Sequence, residues 1–222
     1  MQYPFSCVQN TFDCIEKTLS PARLARYLPA ANGDKHLALR LYVWNARLCE
    51  AMYLPLQTAE VAVRNAVQIP VGKRFKNQWY TNPKFLNLLP ARMKGELEET
   101  VRKETKKRGA ALTQDHIVAN LSFGFWANLM TRAYDKHLWA IGVRQSFPGA
   151  GAREDREAIY QMLDQMRSFR NEVMHHYAIF DRGPQAKFQN VLHITKMVCP
   201  ETHWLSLHLS RVSQIINARP MV

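Results

Sequence analysis

QMLDQMRSFRNEVMHHYAIF, residues 161–180, reads as the end of a long helix. At about 100° per residue, Ile159, Met162, Leu163, Met166, Phe169, Val173 and Tyr177 gather on one face. Asp164, Gln165, Arg167 and Ser168 fall mostly off it. Arg170 lands inside the apolar stripe, close to Leu163 and Met166. A guanidinium cannot shed its charge, and burying one unpaired is very costly. Arg170 therefore requires a partner, a wet groove or a subunit interface. His175 and His176 follow directly. A misplaced cation beside two imidazoles makes this helix end a candidate site.

Helical signals recur outward from this stretch, and strand signals are scarce. Residues 11–19 form a short amphipathic piece. Ser20-Pro21 then supplies an N-cap and a proline at the first helical position, opening a helix predicted to run to Leu28. Asp34 caps a helix over about 35–53. Pro55 is expected to restart or kink it, and Pro70 to stop its continuation near Ile69. Residues 72–90 read as an aromatic loop packed on the core, and residues 92–108, RMKGELEETVRKETKKR, as a charged helix. Thr113 caps a helix to about Asn120. Two aromatic-rich helices follow over 122–132 and 134–143. The motif helix starts near Arg153, after the break at residues 147–151. Two closing helices, near 185–198 and 201–218, flank Pro200. With no repeat, low-complexity segment or linker, the expectation is one all-α domain over residues 1–222.

Composition sets bounds on function. A chain of 222 residues can bury a sizeable core, and 47% hydrophobic content marks it as globular. Thirty Lys and Arg against 18 Asp and Glu give a net charge of +12, which favours a polyanionic partner, nucleic acid or an acidic membrane surface. Cys7, Cys14, Cys49 and Cys199 form no C-x-x-C pair and no zinc spacing, so they read as reduced structural thiols, with Cys49 and Cys199 expected to be buried. The N-terminal residues lack the basic start and apolar run of a signal peptide. No window reaches about 18 uncharged apolar residues, so no membrane span is expected. A cytoplasmic protein is the implied setting. No metal or other cofactor is expected: H-E-x-x-H is absent, adjacent His175 and His176 would splay on a helix, and no glycine-rich phosphate loop occurs.

Arg170-Asn171-Glu172-Val173-Met174-His175 resembles the R-x(4–6)-H motif of HEPN-domain ribonucleases, with a polar residue directly after the arginine. The doubled His175-His176, the block YVWNARLCEAMYLPLQTAEVAVRNAV at 42–67 and LSFGFWANLM at 121–130 resemble the Abi-like branch, the bacterial abortive-infection proteins. These blocks come in that family's order over roughly residues 20–180. The resemblance implies an all-helical bundle, here with additional N- and C-terminal helices, a homodimer and metal-independent RNA cleavage. It also implies a toxin-type role in antiviral defence, with an antitoxin or cognate small RNA as a further partner.

The residues suit that chemistry. RNA carries its own nucleophile, the 2′-hydroxyl, so the protein must supply a proton acceptor, a proton donor and positive charge on the phosphorane. Histidine, with an ordinary pKa of about 6.5, can accept or donate protons near neutrality. An arginine fork matches two phosphate oxygens. His175 is then the acid/base, Arg170 the phosphate clamp, Asn171 an orienting group and His176 the second proton-transfer candidate. The expected product is a 2′,3′-cyclic phosphate with a free 5′-hydroxyl. On an undistorted helix Arg170 and His175 lie about 140° apart. Either the helix bends at the motif, or Arg170 of one subunit works beside His175 of another. The alternative functions are a non-catalytic RNA-binding or RNA-associated module, or a dimerisation partner.

Further candidates lie elsewhere. Glu60 sits at the edge of an apolar helix face, with Arg64 one turn on. The two either pair with each other, or Glu60 reaches Arg170 and holds it; Glu50 is a weaker candidate of that kind. Arg102, Lys103, Lys106, Lys107 and Arg108 could track a phosphate backbone, but the interleaved glutamates equally suit a solvated helix face. Phe123, Phe125 and Trp126 suit either base stacking or the core. His193, His203 and His208 lack metal-ligand spacing and read as surface or helix-end residues. If the basic excess serves RNA, binding weakens steeply with salt. A titration of a labelled single strand should then give a slope of log K against log [salt] of about −0.7 for each phosphate neutralised. A flat response would assign the charge to another purpose.

Overall fold

A computed structural model describes residues 8–221, and the structure is all-α, with no strand among these residues. Cys7 lies outside them. In chain order the helices are α1 (Gln9–Leu19), α2 (Pro21–Ala25), α3 (Lys35–Phe75), α4 (Pro83–Leu86), α5 (Ala91–Arg108), α6 (Gln114–Asn120), α7 (Phe123–Asn128), α8 (Asp135–Leu138), α9 (Arg156–Met174), α10 (Pro184–Val198), α11 (Pro200–Leu209) and α12 (Val212–Asn217).

Everything is built on α3. Asp34 caps it, its carboxylate accepting from the backbone N–H groups of His36 and Leu37, and these bonds hold that carboxyl below the usual range. Its 41 residues span about 60 Å at ~1.5 Å per residue. Leu37, Leu41, Trp44, Leu48, Met52, Leu56, Ala59, Val63, Val67 and Val71 are buried at spacings of three and four, an uninterrupted stripe. Against it pack α9, α10, α11, α12 and α7.

This helix overturns the expected breaks at Pro55 and Pro70, for it runs through both. An interior proline costs about 3 kcal/mol through its missing N–H and its ring. Burying a Leu or Val side chain gains roughly 1.5–3 kcal/mol. Leu56, Val63, Val67 and Val71 are all buried beyond Pro55, and Pro55 and Pro70 are themselves buried in the same stripe. Tertiary burial therefore prevails over the local breaker.

Other boundaries shift for local reasons. The helix expected to reach Leu28 stops at Ala25, and a 3₁₀ turn over Pro29–Ala31 follows. Residues 72–75 belong to α3; beyond them the expected loop contains a 3₁₀ turn at Trp79–Thr81 and α4, and Trp79 and Phe85 fill the core. The two aromatic helices expected at 122–143 are shorter, as α7 and α8, separated by a 3₁₀ turn at Arg132–Tyr134; Gly142 turns the chain at φ 84°, in the positive-φ region that favours glycine. The last expected helix divides at Ser210 into α11 and α12. Cys49 is buried, and burial pushes its thiol up to about 11. Cys199 is only partly buried, because it caps α11, its sulfur accepting from the Thr202 N–H.

One buried polar residue fixes the end of the motif helix. Asn45 on α3 is 3% exposed. Its Oδ1 accepts from the Ile179 N–H at 2.9 Å, and its Nδ2 donates to the Tyr177 carbonyl at 3.2 Å. Both partners are backbone groups of fixed role, so the amide orientation is unambiguous. The segment leaving α9 is thereby tied to α3 just past His175 and His176. Asn45→Ala should cost about 2–3 kcal/mol in urea unfolding, because it leaves a buried N–H and a carbonyl unpaired. A loss under 0.5 kcal/mol would mean that water replaces the amide.

Candidate functional site

The apolar stripe of α9 buries Ile159, Leu163, Met166, Phe169 and Val173, while Met162 is only partly covered. Asp155 opens the helix, its carboxylate accepting from the Ala158 N–H at 2.8 Å. Helical geometry ends at Met174, with His175 as the C-cap. His176 takes a left-handed conformation at φ 60°. The Tyr177 N–H then donates to the Glu172 carbonyl and the His176 N–H to the Val173 carbonyl. Together these two bonds form a Schellman closure, a position that usually carries glycine. The reversal takes Tyr177 off the stripe: it is 54% exposed, which corrects its expected place on the buried face.

Arg170 has the partner that its position demands. Its Nε lies 3.3 Å from Oε2 of Glu60, with the side chains 37% and 22% exposed. The approach is off the N–H axis, and the buried Nε makes no hydrogen bond. The contact is thus a charge–charge one that fixes the inner edge of the guanidinium. At the outer edge Nη1 stands 3.5 Å from Oδ1 of Asn171, a long contact to an exposed side chain. Arg64 does not pair with Glu60: its Nη1 donates to the Ala119 carbonyl at 3.2 Å, on α6. Glu50 lies elsewhere, bonded to Arg211 at 3.0 Å.

Glu60, Arg170 and Asn171 are therefore brought together. His175 and His176 are exposed just beyond them. Among the described residues no hydrogen bond joins either imidazole to Arg170 or Asn171. The His175 ring sits 6.2 Å from that of Tyr177. The His176 carbonyl accepts from Nη1 of Arg23 at 3.0 Å. Glu172, one turn below, holds Arg182 and Lys187.

Two residues that shape this region, Asn45 and Arg23, went unsingled in the sequence, and a third, Tyr177, was placed on the wrong face. Asn45 carried the same signal as Arg170, a polar side chain among Tyr42, Trp44 and Leu48. Arg23 carried none, since its proximity to Tyr177 depends on the turn at His176.

The other candidates are spent on structure. On α5, Arg102 makes two hydrogen bonds to Glu99, Lys103 lies 3.3 Å from the same carboxylate, and Arg108 bonds Glu104. Arg102 and then Lys103 hold the Glu99 carboxyl down at about 2, and Arg108 depresses that of Glu104. Lys106 and Lys107 stand exposed. The pattern suits a solvated helix face. Phe123, Phe125 and Trp126 are core residues, with Trp126 edge-on to Trp79 at 5.8 Å. His193 pairs with Glu154, His203 bonds the Leu192 carbonyl, and His208 bonds that of Trp204. Among the described residues no group of three or more His, Cys, Asp or Glu is placed to hold a metal ion, and no helix is long and apolar enough to cross a membrane. No family model, curated protein or solved structure matches the chain.

Proposed function

We propose that the protein is an endoribonuclease that cleaves RNA by attack of its 2′-hydroxyl and needs no metal for that step. The observation that carries this reading is an arginine held from behind by Glu60, one turn before the end of a helix that two exposed histidines follow. Arg170 presents its outer edge to a phosphate, with Asn171 beside it. His175 accepts the 2′-hydroxyl proton and His176 is the candidate donor to the leaving 5′-oxygen, leaving a 2′,3′-cyclic phosphate. α9 continues unbroken through Met174, and on a regular helix Arg170 and His175 face directions about 140° apart. We therefore assign the working site to a homodimer, in which Arg170 of one protomer meets His175 of its partner. Twofold pairing is the commonest assembly of soluble chains. The resemblance to Abi-like proteins suggests a defence toxin acting in the cytoplasm and controlled by an antitoxin or small RNA.

The internal Glu60–Arg170 contact also favours a second reading, an RNA-binding or RNA-associated module whose arginine is already engaged and does not cut. Purified protein and labelled RNA in EDTA separate the two. The wild type should cleave, and His175→Ala should lose about 10²–10⁴ in rate while remaining folded. Arg170→Lys should be nearly as impaired as Arg170→Ala, because lysine lacks the planar two-point fit. RNA with a 2′-deoxy at the scissile position should resist cutting. Binding without cleavage would establish the second reading, and activity abolished by EDTA would end the first.

Glu60 acts through Arg170 and is a positioning residue. Glu60→Gln keeps its shape and removes its charge. It should slow cleavage about tenfold, equivalent to ~1.4 kcal/mol, and Arg170→Ala should mask the effect in the double variant. Additive losses would place Glu60 outside this pathway.

A further inference from the structure

A cleft of about 510 Å³ lies between α2 and the turn that follows α9, with Arg23, Arg26, His176, Tyr177 and Arg182 in its lining. Its charges are unevenly matched. Arg26 is paired with Asp181 at 2.7 Å, and Arg182 with Glu172. Nη1 of Arg23 donates to a neutral group, the His176 carbonyl. Arg23 is exposed and leaves its charge and the rest of its fork directed at solvent beside the cleft. Tyr177 stands at the same place, 54% exposed, its ring beside that of His175. A basic fork next to an open aromatic ring is the pairing that single-stranded nucleic acid uses, phosphate on the one and base on the other.

We propose that this cleft is a nucleotide subsite of the RNA-cleaving site: it seats the nucleotide next to the cleaved bond, with its base stacked on Tyr177 and its phosphate on Arg23. The inference rests on the ribonuclease reading above. The left-handed turn at His176 joins the two. It places Tyr177 outside the core, while the Arg23 bond to the His176 carbonyl couples the phosphate contact to the position of the histidine turn. A strand bound here therefore runs past the imidazoles.

The test is binding of a fluorescein-labelled, 2′-O-methyl single-stranded oligonucleotide, which the proposed chemistry cannot cut, followed by anisotropy. Tyr177→Ala should weaken binding about 5- to 150-fold, the range for loss of one base–aromatic stack, and Tyr177→Phe should restore it. Arg23→Ala should also weaken binding and should make the slope of log K against log [salt] shallower by about 0.7. The Tyr177 ring fills no core space, so Tyr177→Ala tests the proposal even if Arg23→Ala disturbs the turn. Wild-type binding that neither substitution weakens would overturn the subsite and leave the ribonuclease reading standing. Wild-type protein that neither binds the oligonucleotide nor cleaves RNA would overturn both.

Discussion

The two hydrogen bonds of Asn45 are the constraint on which the candidate site depends. A helix C-terminus is ordinarily free to fray, and the residues beyond it follow. Here the amide of one buried residue holds the backbone at Tyr177 and Ile179, so the chain past α9 has one course. Fifteen residues along α3, Glu60 meets Arg170. The helices consequently run in opposite directions, fastened at both ends of the motif. Between these fastenings lie Asn171, His175 and His176, exposed but borne on fixed backbone.

The distribution of charge follows a different logic from the total. A net charge of +12 invites a search for the densest run of lysine and arginine, which is α5. In the folded chain Arg102, Lys103 and Arg108 of that run are paired along their own helix, with carboxylates that stay ionised well below neutrality. The exposed pairs at Glu99 add little stability, but they do reduce the field that α5 presents to a polyanion. Arg23, whose Nη1 donates to a neutral carbonyl, lies instead in a segment without any conspicuous basic cluster. Unbalanced charge is thus a property of three-dimensional neighbours, which a count along the chain does not see.

Much of this was legible in the sequence, and the misses share a cause. Asp34 and the apolar spacing of α9 announce their elements through interactions a few residues long. The demand that Arg170 find a partner was also legible, because burial of a guanidinium is costly wherever it happens. Glu60 could be named for the same reason. Pro55 and Pro70 misled because the rule for proline is local and the stripe that defeats it is not, although its spacing of three and four continues unbroken from Leu37 to Val71. Tyr177 misled because the helical wheel was carried one turn too far, past a reversal made by a histidine.

That reversal bears on how His176 can be probed. In the left-handed region an ordinary side chain is disfavoured by roughly 1–2 kcal/mol relative to the right-handed one, and glycine is not. Alanine at 176 would remove the imidazole but retain the backbone penalty that the imidazole residue already bears. Glycine would remove both, so a change in behaviour could arise from a relaxed turn as much as from a missing proton carrier. Asparagine tolerates this conformation while lacking a titratable group. A comparison of the three substitutions separates what the ring does from what the bend does, at the one residue where chain direction and candidate chemistry coincide.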